Sequence, residues 1–293
     1  MAYPPDATVA DTGEFGLIEA LTPLFPQGEH VLVGPGDDAA VLRVKTGHVV
    51  VSTDLMVEGR HFRRDWATAA DIGHRAAAAN LSTSWALEFA GGFAEEAALV
   101  DASVVGGDLT RADQLVIAVS VIGACTSAPV LRSGAEAGDV VALAGRQGWA
   151  AGGLAVLGRG FRSPRVLVEA YRRPEPPYDA GPAAAKAGAT SMIDVSDGLV
   201  ADAGHLAAAS SVAIDLHRGA FAIPEPLQAV GAALGADPLR FILGGGDDHA
   251  LLATFPDVGS VPDGWLVVGE VGDGSGVTLD GGEYDGPTGW THF

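Results

Sequence analysis

Basic residues are scarce in this 293-residue chain: 17 Lys and Arg stand against 37 Asp and Glu, a formal net charge of −20. A general nucleic-acid binder needs a basic face to displace counterions, so the balance weighs against that class and against docking on anionic membranes. Cysteine is nearly absent. Cys125 is the only one, which rules out an intrachain disulfide and a Cys-based zinc site. At the end of the apolar run from Val119, it reads as a small buried side chain rather than a nucleophile. Long apolar runs are missing too. The longest uncharged stretch, Gln114 to Leu131, holds Gly123 and Pro129 among Val and Ile, and reads as a strand and a turn. The start, Met1-Ala-Tyr-Pro-Pro-Asp6, has neither the basic residues nor the apolar stretch of a signal peptide. These absences lead to the expectation of a soluble, cytoplasmic protein. Also absent are a Gly-x-x-x-x-Gly-Lys-Ser/Thr phosphate loop, the His-Arg-Asp and Asp-Phe-Gly signatures, and a His-Glu-x-x-His pair.

What is present supports a substantial core: hydrophobic residues make up 48%. The length suits one large domain or two ordinary ones. Apolar spacing predicts helices over 13–25, 68–81, 85–100, 148–157, 183–189 and 198–209. Strands are expected over 31–33, 39–44, 48–53, 103–105, 115–122, 140–144, 191–194, 213–216, 251–255 and 265–271. Residues 1–12 read as a loose tail, 126–129 as a linker and the Pro-rich stretch 172–182 as a loop. Asp273-Gly-Ser-Gly276 lacks the alternating acids of a calcium loop and reads as a hairpin turn. Strands and helices mix in both halves, so the fold class is α/β, with two α/β domains, 1–125 and 126–293.

The aspartates recur in one kind of place. Gly36-Asp37-Asp38, Ser52-Thr53-Asp54, Gly106-Gly107-Asp108, Asp194-Val-Ser196-Asp197-Gly198 and Gly244-Gly-Gly246-Asp247-Asp248 each follow an apolar run read as a strand or its end. If those ends converge, several carboxylates share one cleft, and a cation must offset their repulsion. Hard oxygen ligands select Mg²⁺, Ca²⁺ or Mn²⁺. Glycine beside each Asp lets backbone N–H groups approach a phosphate. With few lysines, this pattern suggests a nucleotide held through metal. Asp and Gly are also ordinary turn residues; five recurrences in matching positions tip the balance toward metal. The histidines are scattered, and the spacing of His61 after Asp54 alone does not separate a functional role from a structural one.

In this order, the motifs resemble the thiamine-monophosphate kinase family, within the superfamily of aminoimidazole-ribotide synthetase. The match includes Gly13-Glu-Phe15, Gly36-Asp-Asp-Ala-Ala40, Ser52-Thr-Asp54, Val57-Glu-Gly-Arg-His-Phe62, Asn80-Leu-Ser82 and Gly106-Gly-Asp108 with Thr110-Arg111. It continues through Arg132-Ser-Gly134, Asp194-Val-Ser-Asp-Gly198, Gly246-Asp-Asp-His249 and Gly289-Trp-Thr-His-Phe293. The resemblance implies an N-terminal sheet that pairs with its twin in a homodimer, and a C-terminal domain that completes the cleft. It implies ATP- and Mg²⁺-dependent phosphorylation of thiamine monophosphate by direct in-line transfer, without a covalent nucleophile. Carried over by motif, Asp38, Ser52, Thr53, Asp54, Asp108, Asp194 and Asp197 hold several Mg²⁺ ions. Gly107, Asp108, Arg132 and Ser196 contact ATP; His61, Asp247 and Trp290 contact thiamine monophosphate, Trp290 by stacking. Asp37 reads as a turn cap, and Glu58 and Asp248 lie in matched motifs without an assigned role.

Two departures stand out. The family usually has Glu where Asp247 stands, so the charge is kept and reach is lost. After Asn80-Leu-Ser82 the family continues with a metal-binding Asp, a loop and a strand, whereas here Thr83-Ser-Trp85 already opens the next helix. The expectation is that a segment has been left out, which would place the Cα atoms of Ser82 and Thr83 much farther apart than the ~3.8 Å of a bonded pair. The alternatives are another ATP-using enzyme of the superfamily, or a non-catalytic Mg-nucleotide-binding protein. Both share the cleft and differ in turnover or acceptor.

Overall fold

The computed structural model describes residues 31–33, 40–44, 47–59, 62–68, 71–72, 83–100, 102, 116–125 and 128–290. Two sheets organise them. The first contains β1 (Val31–Val33), β2 (Ala40–Val44), β3 (Gly47–Val57) and β4 (Val116–Cys125), in that order and all antiparallel. Runs of Val and Ile suit the pleated surface. The β3–β4 ladder is unbroken from His48↔Cys125 to Val57↔Val116. Asp54 therefore lies inside a strand rather than at its end. A helix, α1 (Thr83–Ala98), follows in sequence.

The second sheet is mixed. Its strands are β5 (Val140–Ala144), β6 (Ser191–Val195), β7 (Ala213–Leu216), β8 (Ala250–Phe255), β9 (Trp265–Gly272) and β10 (Gly276–Leu279), in the order β10-β7-β9-β5-β8-β6. β10 pairs parallel with β7 and the other pairs are antiparallel. Helices α2 (Trp149–Leu157), α3 (Arg165–Arg172), α4 (Ala180–Ala187), α5 (Leu199–Ser210), α6 (Glu225–Leu234) and α7 (Leu239–Gly244) fill the connections. β5 is buried on both sides. Val141 and Leu143 join Ile193, Val195, Leu206, Ile214 and Leu252 in the main core. Ala142 packs on the other side with Ala184, Ala253 and Phe255. A strand covered on both faces reads as a continuous apolar run, as Val140-Val-Ala-Leu-Ala144 does.

Thr68 and Asp71 exchange hydrogen bonds in a capping box, Thr68 N–H to Asp71 Oδ2 at 2.9 Å and Asp71 N–H to Thr68 Oγ1 at 3.2 Å. Asp71 also meets Arg173 Nε at 2.7 Å, beside Arg172 Nε donating to the Trp66 carbonyl at 2.8 Å. Burial alone raises the Asp71 carboxyl; Arg173 and Thr68 overcome it and hold it below its ordinary value. Trp66 meets Tyr171 edge-on at 6.2 Å, and Tyr178 donates to Glu96 at 2.5 Å. These contacts fasten α3 and the Pro-rich segment to Trp66, Asp71 and Glu96.

Several expectations need correcting. Cys125 is exposed: it ends β4 on the same face as Val121 and Gly123, four and two residues earlier, which are exposed as well. The stretch 172–182 is not all loop: α4 starts at Ala180, and Pro182 sits in its first turn, where a helix has no use for its missing N–H. Asp273–Gly276 is not a hairpin turn between paired strands, because β10 passes over to pair with β7. The apolar run before Gly244 is helix α7, not a strand. Helices α3 and α6 and strand β10 were not expected at all. The predicted helix 13–25, strand 103–105, most of helix 68–81 and the Ser82–Thr83 gap fall outside the described residues. No helix among the described residues is long and apolar enough to cross a membrane.

Candidate functional site

Two Asp- and Gly-bearing turns of the second sheet meet. The first leaves β6. Ile193 and Val195 enter the core, so the alternation puts Asp194 on the other face, partly exposed. The chain turns through Ser196, Asp197 and Gly198 into α5. Asp202, in the first turn of α5 and 3% exposed, accepts the N–H groups of Asp197 at 3.1 Å and Gly198 at 3.0 Å. It satisfies amides that a helix start leaves without partners. Burial pushes its carboxyl up to about 7, and the nearby Asp197 and Asp194 charges push the same way.

The second turn leaves α7 through Gly244, Gly245 and Gly246. Asp247 and His249 both adopt left-handed backbone, with φ of 68° and 52°. Such residues are uncommon outside glycine, and they persist where the surroundings enforce them. Asp248, between them, supplies the enforcement. It is 2% exposed and accepts the Ala150 N–H at the start of α2 at 3.0 and 3.1 Å through its two oxygens. Burial pushes its carboxyl up to about 7 against the lowering effect of the α2 amides and Arg146. Gln147 Nε2 donates to the carbonyls of Ile242 at 2.9 Å and Gly245 at 2.5 Å, tying the same helix start to the end of α7.

The turns are joined by main-chain contacts. Asp247 N–H donates to the Ser196 carbonyl at 3.0 Å. At Gly246 a side chain would collide with that same carbonyl, so only glycine allows the approach. His249 Nδ1 lies 3.4 Å from Asp194 Oδ2. The chain near its end closes over both turns: Ala201 N–H donates to the Thr288 carbonyl at 3.1 Å and Trp290 N–H to the Asp197 carbonyl at 3.0 Å. Trp290 itself is 55% exposed, so its indole faces solvent beside the turns.

The structure thus brings Asp194, Ser196, Asp197, Asp247 and Trp290 together. Asp38, His61, Gly107 and Asp108 lie outside the described residues. Ser52, Thr53 and Asp54 are placed by register only, opposite Val121, Ser120 and Val119. Arg132 is buried, and its backbone stands apart from the two turns. Its carbonyl accepts Ser210 Oγ at 3.0 Å, and Ser210 ends α5. That helix of 12 residues puts about 18 Å between its two ends. Asp202 and Gln147 were not singled out from sequence, and Asp248 and His249 lay in a matched motif without a role. An acid in the first turn of a predicted helix is the signal that could have found Asp202. Asp194 and Asp197, oxygen donors of like charge on one turn, would suit a hard cation such as Mg²⁺, while Asp202 is taken up by the turn's own amides.

The family of AIR synthase related proteins, N-terminal domain, matches residues 36–83 and again 80–125. A thiamine-monophosphate kinase of Mycobacterium tuberculosis is 43% identical, covering 98% of this chain and 93% of its own. The chain belongs to the thiamine-monophosphate kinase family. A relative of the same name from Corynebacterium glutamicum is 36% identical over 90% of this chain and 87% of its own. A structure of AaThiL complexed with AMPPCP and TMP superposes with a TM-score of 0.88 at 27% identity, covering 99% of this chain and all of that one. The two pieces of the family match meet at 80–83, where the resemblance led us to expect a further segment. The alignment with the M. tuberculosis relative runs over 312 positions, more than the 293 residues of this chain, so the relative carries residues that have no counterpart here.

Proposed function

We propose that this chain transfers the γ-phosphoryl group of ATP to thiamine monophosphate, giving thiamine diphosphate and ADP. The observation that carries this reading is the pairing of Asp247 and Trp290 against one turn, through the Ser196 and Asp197 carbonyls. Thiamine carries a permanently charged thiazolium ring. A carboxylate and an exposed indole carried by neighbouring backbone suit such a cation, one by charge and the other through its π face. Asp194 and Asp197 lie on the same turn, where a cation-bound phosphate would meet them. Family membership at 43% identity supports the same acceptor, as does the relative complexed with AMPPCP, an ATP analogue, and TMP.

In this reading a terminal phosphate oxygen of thiamine monophosphate attacks the γ-phosphorus in line. The bond from the γ-phosphorus to the β,γ-bridging oxygen breaks, and ADP leaves. Asp194 and Asp197 would hold Mg²⁺ together with Asp38, Ser52, Thr53, Asp54 and Asp108. Bound there, the metal would supply charge neutralisation for the transferring group. Gly107, Asp108, Arg132 and Ser196 would contact ATP, and His61 would join Asp247 and Trp290 at the thiamine. Asp202 and Asp248 touch backbone amides and hold the turns. Residues 1–125 and 126–293 are read as two domains, the first pairing with its twin in a homodimer. Cytoplasmic location belongs to the same reading.

The test is ADP release from Mg²⁺-ATP by the full chain with thiamine monophosphate, with an aminoimidazole-type acceptor, or with none. ADP formed only with thiamine monophosphate supports the proposal; release that ignores it overturns it. The break in the family match at 80–83 favours one second reading, nucleotide binding without turnover, which the same assay separates.

A further inference from the structure

We propose that Asp215, His217 and Glu270 form a site for one divalent transition-metal cation of the zinc class, separate from the turns at Asp194 and Asp247. The sheet register builds it. Thr278 on β10 lies beside Asp215 on β7, and Asp215 lies opposite Glu270 on β9. These three positions form a row across three neighbouring strands. Ile214 and Leu216 are fully buried, so Asp215 and, two residues on, His217 share the opposite, wetter face. Two carboxylates directly opposite each other across a ladder repel. A cation between them turns that repulsion into coordination and ties β7 to β9.

The geometry is prepared from outside the three ligands. Asp215 Oδ1 receives Thr278 Oγ1 at 2.5 Å and the Gly281 N–H at 2.8 Å. Its other oxygen, Oδ2, is turned toward His217 Nε2, 3.7 Å away. Anchoring one oxygen of a ligating carboxylate is how outer partners orient a metal ligand. One ligand atom from each of the three residues lies within 4.8 Å of the others. Ligands about 2 Å from a tetrahedral ion sit roughly 3.3 Å apart, so small side-chain rotations close the site. His217 and Glu270 are exposed enough to make them. One imidazole with two carboxylates favours a zinc-class ion, whereas Mg²⁺ and Ca²⁺ take oxygen throughout. Water would complete the shell. Strands β5 and β8 separate β9 from β6, which carries Asp194, so the two sites are independent.

Zinc chloride titrated calorimetrically into the full chain, with excess Mg²⁺ present to occupy oxygen-only sites, tests this. One zinc per chain is expected. H217A should weaken binding at least tenfold, and so should E270Q, an exposed substitution that spares the fold. D215N keeps the acceptor for Thr278 and Gly281 but loses the metal-facing charge, and should weaken binding similarly. Zinc should raise the Tm of the wild type and leave that of H217A unchanged, with kinase turnover equal in both. No zinc uptake by the wild type, or equal uptake by wild type, H217A and E270Q, overturns the proposal.

Discussion

The two turns that meet at the candidate site look alike in sequence and are built differently. The turn 194–198 runs from a strand to a helix and is closed by a carboxylate of its own helix, Asp202. The turn 244–249 runs from a helix to a strand and is closed by its own carboxylate, Asp248, on the start of another helix, α2. The first needs no left-handed residue outside glycine; the second needs two. A local device holds Asp194 and Asp197, and a long-range one holds Asp247 and His249. The Asp194–Asp197 turn therefore rests on one helix, and the Asp247–His249 turn on the packing of α2 against α7.

The comparison breaks most severely at Gly246. G246A puts a methyl group into the Ser196 carbonyl and forces the turns apart. Overpacking against backbone should cost about 3 kcal/mol or more, seen as a large drop in Tm together with loss of activity. Next comes the long-range clamp. D248A leaves the α2 amides buried without acceptors and should cost about 2–3 kcal/mol in urea unfolding. It should raise KM for thiamine monophosphate more than KM for ATP, because Asp247 moves first. D202A should do the reverse.

Titration sharpens the contrast. Asp202 and Asp248 each have a carboxyl pushed up to about 7 by burial, against about 3.9 in the unfolded chain. The folded state then binds more protons between those values. The stability each group contributes is fully present below pH ~4 and is lost as pH rises through ~7. Across that range the loss is up to about 4 kcal/mol per group. The fall in unfolding free energy between pH 5 and pH 8 should be shallower in D248N than in the wild type, and shallower again in the double variant with D202N. Equal slopes would remove burial as the cause.

Smaller effects are expected at Asp247 and Trp290. D247E restores the longer reach usual in the family but places Glu in left-handed backbone, where Asp is better tolerated. It should lose about 1 kcal/mol of stability while KM for thiamine monophosphate falls. W290A should change stability by less than about 0.5 kcal/mol, because the ring is exposed and the contact to Asp197 is main-chain. Its KM for thiamine monophosphate should rise about tenfold, the worth of one cation–π contact.

Legibility tracked locality. Strands β5 and β8 read directly as continuous apolar runs, and β6 and β9 from apolar residues set at strand spacing beside polar ones. Helix α5 read directly from its spacing. Helix α7 did not: its six residues, Leu239-Arg-Phe-Ile-Leu-Gly244, are too short for periodicity to tell helix from strand. Helix α6 was hidden by Pro226 near its start and Gly231 within it, both of which read as loop. Strand β10 is four residues long, and its partner β7 lies some sixty residues earlier, so nothing local marks it. That Asp194, Ser196, Asp197, Asp247 and Trp290 lie together was legible because their motifs are contiguous and came as a set with the resemblance. Asp202 and Asp248 act through amides, one of them on a helix a hundred residues away, and spacing carries no sign of that.

The account stands most directly on phosphorus NMR of the full chain mixed with Mg²⁺-ATP and thiamine monophosphate. Thiamine diphosphate resonances growing in step with ADP are the predicted result. ATP and thiamine monophosphate left unchanged by a chain that binds Mg²⁺-ATP would contradict it.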